Sequence, residues 1–244
     1  MSAAEGLLVV PAVWAAYAWG SHALTLGCVW RGSREGRRVS LTFDDGPDPE
    51  ATPRVLDILS AHRITATFFL IGERAVTHGA LVRRIAAAGH DLGNHGWSHQ
   101  SLWLAGPRRT ADEVRRGYEA IGAIAGSPPR FFRPAWGMTN LALFPVLRRL
   151  GTPCVFWTVQ TEGRRPAPAP VQVARARRRA RPGAILDLHD ADGVPGRGAP
   201  GRRASRHDPG PEGRRVCAGS APRPAVEFPD RHPDDSSDHD KGVE

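Results

Sequence analysis

Asp44 and Asp45 stand side by side in Thr42-Phe43-Asp44-Asp45-Gly46-Pro47, at the end of the apolar run that begins at Val39. Two adjacent carboxylates at the end of a buried strand repel each other, and burial penalises both ionised forms. Such a pair is tolerated where a cation or a reaction uses it. A turn forced by Gly46 and Pro47 leaves both side chains at the strand's C-terminal mouth, where α/β folds build their sites. An Asp-rich turn or a helix cap would use the same residues without chemistry. A second group is His95-Gly96-Trp97-Ser98-His99. Histidines at i and i+4 on a helical turn point the same way and can share one cation; two polar loop histidines are the plainer alternative. One carboxylate plus two imidazoles would hold a divalent metal and leave positions open for water and substrate.

Two further segments suit the same site. In Arg133-Pro134-Ala135-Trp136-Gly137, Arg133 can pair with whichever carboxylate a metal leaves free. Trp136 can line the floor of a sugar site, because carbohydrate C–H faces pack on aromatic rings. A surface arginine and a core tryptophan are the competing reading. Leu186-Asp187-Leu188-His189 ends the last strand, and a histidine there can protonate a leaving group or be a capped loop residue. His62, His78 and His90 fall on helix ends or loop edges and carry no such company.

The elements that must position these residues alternate along the chain. Strands are predicted at Val39–Phe43, Thr65–Ile71, Asp91–Gly93, Arg130–Arg133, Pro153–Val159 and Ala184–Leu188. Helices are predicted at Pro53–His62, Ala80–Ala88, Thr110–Ala125, Leu141–Leu150 and Val171–Arg181. Alternation of this kind predicts a parallel α/β sheet, open or closed.

The 244 residues allow one sizeable domain, or one domain and a tail. Leu188 is the last leucine, and beyond Gly196 there is no Ile, Met, Trp or Tyr. The segment 196–244 therefore cannot bury enough apolar surface to offset chain entropy and is expected to be disordered. The net charge of +8 belongs to the folded part, where residues 1–195 hold 24 arginines against 16 acidic residues. That excess suits anionic partners. No aromatic-rich basic strand or nucleic-acid motif accompanies it, so nucleic acid is not expected as a partner. Cys28, Cys154 and Cys217 show neither metal spacing nor a disulfide framework. Leu7 to Trp30 is uncharged and mostly apolar, long enough at ~1.5 Å per residue to cross a bilayer. Three readings compete: a membrane anchor, an uncleaved or mis-started signal, and a buried first helix. Arg31, Arg34, Arg37 and Arg38 follow it, a flank that argues against simple secretion. The expected location is membrane-associated or in the cell envelope.

Taken in order, TFDDGP, HGWSH, RPAWG and LDLH resemble the motif series of the NodB-homology polysaccharide deacetylases, carbohydrate esterase family 4. The resemblance runs from about Val39 to Gly193. It implies a distorted (β/α) barrel and hydrolysis of an N-acetyl amide on a cell-envelope or chitin-like polysaccharide. It also implies a divalent metal, usually zinc, with Co2+, Ni2+ or Mn2+ also suited. Carried over by position, Asp45, His95 and His99 are the implied metal ligands. Asp44 is the implied general base, Arg133 the partner that keeps it ionised, and His189 the general acid. Trp136, Leu188 and Pro134 are the implied substrate-binding residues: the Trp136 N–H as an oxyanion donor, Leu188 in the acetate pocket. The implied division of the chain is 1–38 as apolar segment and basic linker, 39–195 as catalytic domain and 196–244 as tail.

Three departures from the family pattern stand out. Gly96 replaces the usual Ser or Thr. Near Gly163-Arg164 the usual Asp-Trp is missing, so the support of His189 falls to Glu162 or is lost. The family's closing helix and strand are also missing, which leaves the barrel incomplete at its C-terminus. Read one base out of frame with suitable codons, Asp208 to Cys217 encodes Thr-Arg-Ala-Leu-Lys-Ala-Glu-Gly-Tyr, which resembles the missing ending. A frameshift near Pro195–Ser205 is the expectation, decided by resequencing the locus. Besides deacetylation, two other readings follow: an inactive sugar-binding relic, and a hydrolase of another amide or an acetyl ester.

Overall fold

The described residues form six parallel strands. They are β1 (Ser40–Asp44), β2 (Thr67–Leu70), β3 (Asp91–Asn94), β4 (Phe131–Phe132), β5 (Val159–Gln160) and β6 (Ile185–His189), in the order β4-β3-β2-β1-β6-β5. The computed structural model describes residues 12–17, 20, 28–34, 38–162 and 167–191. Helices α1 (Ala51–Ala61), α2 (Gly72–Thr77), α3 (Gly79–Ala87), α4 (Pro107–Ala125), α5 (Leu143–Leu150) and α6 (Ala169–Arg179) connect the strands. Among the described residues the sheet does not close, consistent with a distorted barrel.

The period of two along each strand sorts the residues between two faces. Phe43, Phe68 and Leu70 turn outward and pack with Leu56, Leu59, Val82, Ile85 and Ile121 from the helices. Burying each such side chain stabilises the fold by ~1.5–3 kcal/mol. Thr42 and Asp44 of β1 turn inward, and so do Phe69 of β2 and Ile185, Asp187 and His189 of β6. Phe69, Phe131, Val155 and Ile185 form a small inner core beneath the site. Register then sets the site: Asp44 lies beside His189 and Thr42 beside Asp187. Gly93 makes room for this interior, since a Cβ there would lie 2.3 Å from the Phe69 ring.

Three expectations are revised. The predicted strand Pro153–Val159 is broken in two. Cys154 and Val155 bridge to Phe132 and Val29, while Val159 pairs with β6. The break has a physical cause: the carbonyls of Val155 and Phe156 turn to accept hydrogen bonds from Arg133. A helix absent from the predicted series, α2, follows β2; its six residues are too few to show a helical apolar period. His95 to His99 forms a bent loop, not a helical turn, with Gly96 and His99 at φ 89° and 56°.

Of the apolar segment 7–30, only residues 12–17, 20 and 28–30 are described, and residues 12–17 are helical. Among the described residues no helix is long and apolar enough to cross a membrane. The expected tail 196–244, the proposed frameshift and Gly163-Arg164 lie outside the described residues.

Candidate active site

The ends of β1, β3, β4, β5 and β6 open into one cleft of about 1030 Å³, lined among others by Asp44, Asp45, His95, His99, Asp187 and His189. Asp44 ends β1 and keeps the inward direction of its strand. Asp45 follows at φ 73°, a left-handed conformation that carries its carboxylate to the same side as Asp44. The next peptide bond, Gly46–Pro47, is cis.

Asp45 Oδ1 lies 3.0 Å from His99 Nε2 and 3.4 Å from His95 Nε2. All three residues are at least 95% buried. Among the described residues the Asp45 oxygen nevertheless has no aligned hydrogen-bond donor, and His99 Nδ1 has no partner. The three ligand atoms lie within 4.8 Å of one another. Orphaned polar atoms converging in a buried pocket fit a cation, and one carboxylate with two imidazoles is a donor set for zinc and its neighbours. Burial opposes ionisation of Asp45, but the two imidazoles hold its carboxyl well below the usual carboxylate range. His95 Nδ1 lies 2.7 Å from the Arg133 carbonyl oxygen, which can only accept. Nδ1 therefore carries the proton, and Nε2 turns its lone pair to the centre.

Arg133, after β4, is fully buried. Its Nη1 donates to Asp44 Oδ1 and Thr42 Oγ1, both at 2.7 Å, Nε donates to Val155 O at 3.2 Å, and Nη2 to Phe156 O at 3.1 Å. The guanidinium also lies 4.0 Å above the Phe69 ring. It is thus a fixed counter-charge that orients the Asp44 carboxylate.

His189 ends β6 on the opposite wall. Its Nε2 is 3.9 Å from Asp45 Oδ2, and its Nδ1 lies 3.2 Å from Glu162 Oε1. Burial would lower its pKa, but Glu162 and the charges of Asp187 and Asp44 push it up to about 9. Glu162 therefore lies at ion-pair distance from His189, although Nδ1 makes no aligned hydrogen bond among the described residues. Trp136 sits at φ 53°, is 58% exposed, and lies 4.4 Å from the His99 ring at the cleft mouth. Pro134 and Leu188 do not line the cleft. Pro134 is buried before the short 3-10 turn Ala135–Gly137. Leu188 follows the strand alternation outward and packs on the Phe43 cluster.

Several supporting residues escaped the sequence reading. Glu113 of α4 accepts from the backbone N–H groups of Trp97 and Ser98 at 2.9 and 3.0 Å, and from the Ser98 hydroxyl at 2.5 Å. It pins the loop that carries His99. Asn94 fastens the other end: Oδ1 accepts from Gly96 N, and Nδ2 donates to Val114 O. Gly117 allows this approach, because a Cβ there would lie 2.3 Å from Asn94 Oδ1. Thr52 of α1 donates to Asp190 Oδ2 at 2.5 Å beneath the Asp44–Gly46 turn. Burial first, and then the nearby Asp44 and Asp45, raise Asp190 to about 7 despite that bond. One acidic residue in a charged helix carries no sequence signal. Asp187, two residues before His189 in a strand, did carry one: the period of two puts both on one face.

A family model described as polysaccharide deacetylase matches residues 31–155. The chitooligosaccharide deacetylase of Bradyrhizobium sp. (strain ANU 289) is 38% identical over 156 residues, covering 63% of this chain and 71% of that protein. The peptidoglycan-N-acetylglucosamine deacetylase PgdA of Listeria monocytogenes (strain 10403S) is 32% identical over 158 residues, 65% of this chain and 33% of that protein. The chain therefore spans about a third of the length of that relative. Among solved structures, a CE4 family pseudoenzyme from Bacillus anthracis is 28% identical with a TM-score of 0.62, covering 67% of this chain and 58% of that one.

Proposed function

Because the chain belongs to the polysaccharide deacetylase family, we propose that it is a metal-dependent hydrolase that removes N-acetyl groups from a glycan of the cell envelope or a chitin-like polysaccharide. Residues 39–195 are its catalytic domain. The observation that carries this reading is the convergence of Asp45, His95 and His99 around one centre, with Asp44 held beside it by Arg133.

Asp45 Oδ1, His95 Nε2 and His99 Nε2 would hold a divalent ion, zinc in the first instance. Such an ion supplies two things: it lowers the pKa of water from 15.7 toward ~7 and it polarises a carbonyl. The chain's own residues supply the rest. Asp44 takes a proton from the attacking water as the new C–O bond forms. Arg133 keeps the Asp44 carboxylate oriented and its charge balanced through that transfer. The backbone N–H of Trp136 donates to the oxyanion that develops on the carbonyl oxygen. His189, with Glu162 behind it, gives a proton to the departing nitrogen as the C–N bond breaks. Acetate and a free amine leave. The exposed Trp136 offers a stacking face for the sugar at the mouth.

The test is direct. Purified, zinc-loaded protein should release acetate from N-acetylglucosamine oligomers, and a chelator should stop it. Folded, metal-loaded protein that releases acetate from no N-acetylated glycan would move the reading to a sugar-binding relic, for which the pseudoenzyme from Bacillus anthracis is a precedent of similar fold. Release from esters or formyl amides alone would move it to a different hydrolase.

A further inference from the structure

Hydrolysis as described employs Asp44, Arg133 and His189 but leaves a buried carboxyl in the same cleft without a task. Asp187 is 2% exposed. It lies on the inner face of β6, beside Thr42 of β1. One of its oxygens is within 4.8 Å of both an Asp44 oxygen and a His189 ring nitrogen. Its nearest cation, Arg133 Nη1, is 3.6 Å away, too far for a hydrogen bond. Both hydrogens of that nitrogen are already given to Thr42 and Asp44. Among the described residues Asp187 Oδ1 has no hydrogen-bond partner. An unsatisfied buried carboxyl destabilises a fold, and its strand neighbours Ile185 and Leu186 are apolar and buried. The position is therefore one where an apolar residue would be easier to keep, unless a bound molecule completes the hydrogen bond.

Geometry says which part of a substrate that is. The scissile carbonyl must sit between the base, Asp44, and the acid, His189, so a group attached to it comes within reach of Asp187. The sugar chain is too broad for the buried floor and stays at the mouth, near the exposed Trp136. The acyl end goes deepest. Burial, with Asp44 beside it, raises Asp187 to about 7, so near neutral pH a large share of it is the uncharged acid. In that form a carboxyl both donates and accepts hydrogen bonds.

We propose that Asp187 is a specificity-determining residue that reads the acyl group, favouring an N-hydroxyacetyl amide, whose hydroxyl pairs with the Asp187 carboxyl, over plain N-acetyl. The proposal rests on the deacylase reading and narrows its substrate class. A methyl group set against Asp187 leaves the carboxyl buried and unpaired, whereas a hydroxymethyl group satisfies it. Sites that hydrogen-bond a substrate hydroxyl reject the analogue that lacks it, more strongly than an apolar pocket rejects an added one.

The experiment compares kcat/KM of the zinc-loaded full chain on N-hydroxyacetyl- and N-acetyl-glucosamine oligomers, for the wild type, Asp187→Leu, Asp187→Ala and Asp187→Asn. Calorimetry with glycolate and acetate gives a second readout on the same proteins. The wild type should favour the hydroxyacetyl amide by about tenfold or more, within the range such contacts supply. Asp187→Leu should lose or invert that preference, with zinc content unchanged; Asp187→Ala serves if the leucine variant does not fold. Asp187→Asn, which keeps a donor and an acceptor, should retain it. The glycolate-to-acetate affinity ratio should fall in step in the leucine or alanine variant. A wild type that prefers acetyl, or a ratio indifferent to Asp187→Leu and Asp187→Ala, overturns this inference and leaves deacylation standing. If neither amide is cleaved by metal-loaded protein, deacylation itself fails, and the glycolate-to-acetate ratio decides the role of Asp187 alone.

Discussion

His95 and His189 face each other across one cleft, but their surroundings differ. His95 is 3% exposed and fixed by a carbonyl at Nδ1. The loop that follows it is pinned by Asn94 and Glu113 and ends in a second buried histidine. His189 has a side chain 28% exposed, and Glu162 behind it is 35% exposed. In the proposed mechanism the wall built from β1, β3 and β4 is the rigid receptor for a cation. In the same mechanism the wall built from β5 and β6 carries a more open acid, His189, whose raised pKa draws on Glu162 and on the charges of Asp187 and Asp44. Metal ligands must be positioned within a few tenths of an ångström, whereas a general acid needs reach and a suitable pKa. The asymmetry follows from that difference in demand.

Substitutions on the two walls should therefore separate metal retention from proton delivery. The largest effect is expected where the walls meet. Asp44→Asn should lower kcat by about 10²–10⁴-fold, the contribution of a positioned base, while zinc content by atomic absorption stays at the wild-type level. His95→Ala and His99→Ala should instead lose zinc; full zinc in both proteins would contradict the rigid-receptor description. Arg133→Met leaves Asp44 buried without its counter-charge and should destabilise the fold by about 3–5 kcal/mol in urea titrations. A variant as stable as the wild type would mean that Asp44 is solvated in solution.

Glu113→Ala tests the pinned wall from a distance. Loss of a residue that orients ligands typically weakens metal binding by about 10–100-fold. A chelator competition should show that loss, and unchanged affinity would mean that the loop holds itself. The smallest effect belongs to the open wall. Glu162→Gln should move the alkaline limb of the kcat profile to lower pH, because the charge that helps push His189 up to about 9 is gone. In the wild type the raised value has a matching sign in stability. The His189 contribution is fully present below the unfolded histidine pKa of ~6.5 and is lost as pH rises through about 9. Zinc content of Glu162→Gln should not change; if it did, the two walls would not be separable.

Much of the fold was legible because its signals are local. β1, β2 and β6 announce themselves through β-branched, aromatic and aliphatic runs, and α4 through its spacing, with Gly126 closing it in a left-handed cap. Pro153–Val159 misled because it reads as one strand, and only the demand of a buried guanidinium for two carbonyls breaks it. The motif residues Asp44, Asp45, His95, His99, Arg133 and His189 could be named from spacing and resemblance. Their supports could not: Glu113 is one acid in a charged helix, and nothing near it in sequence tells that it accepts from Trp97 and Ser98.

By itself, the order of residues determined the α/β class, the inward and outward faces of each strand, and the residue types available for metal and proton chemistry. These depend on local conformation and on periods of two and 3.6 residues. Tertiary structure decided the rest. Parallel register put Asp44 beside His189, left-handed turns aimed Asp45 and His99 at one point, and Arg133 Nη1 gave both its hydrogens to Thr42 and Asp44 and none to Asp187. Distances between strands far apart in sequence are set by packing in three dimensions, and no local pattern encodes them.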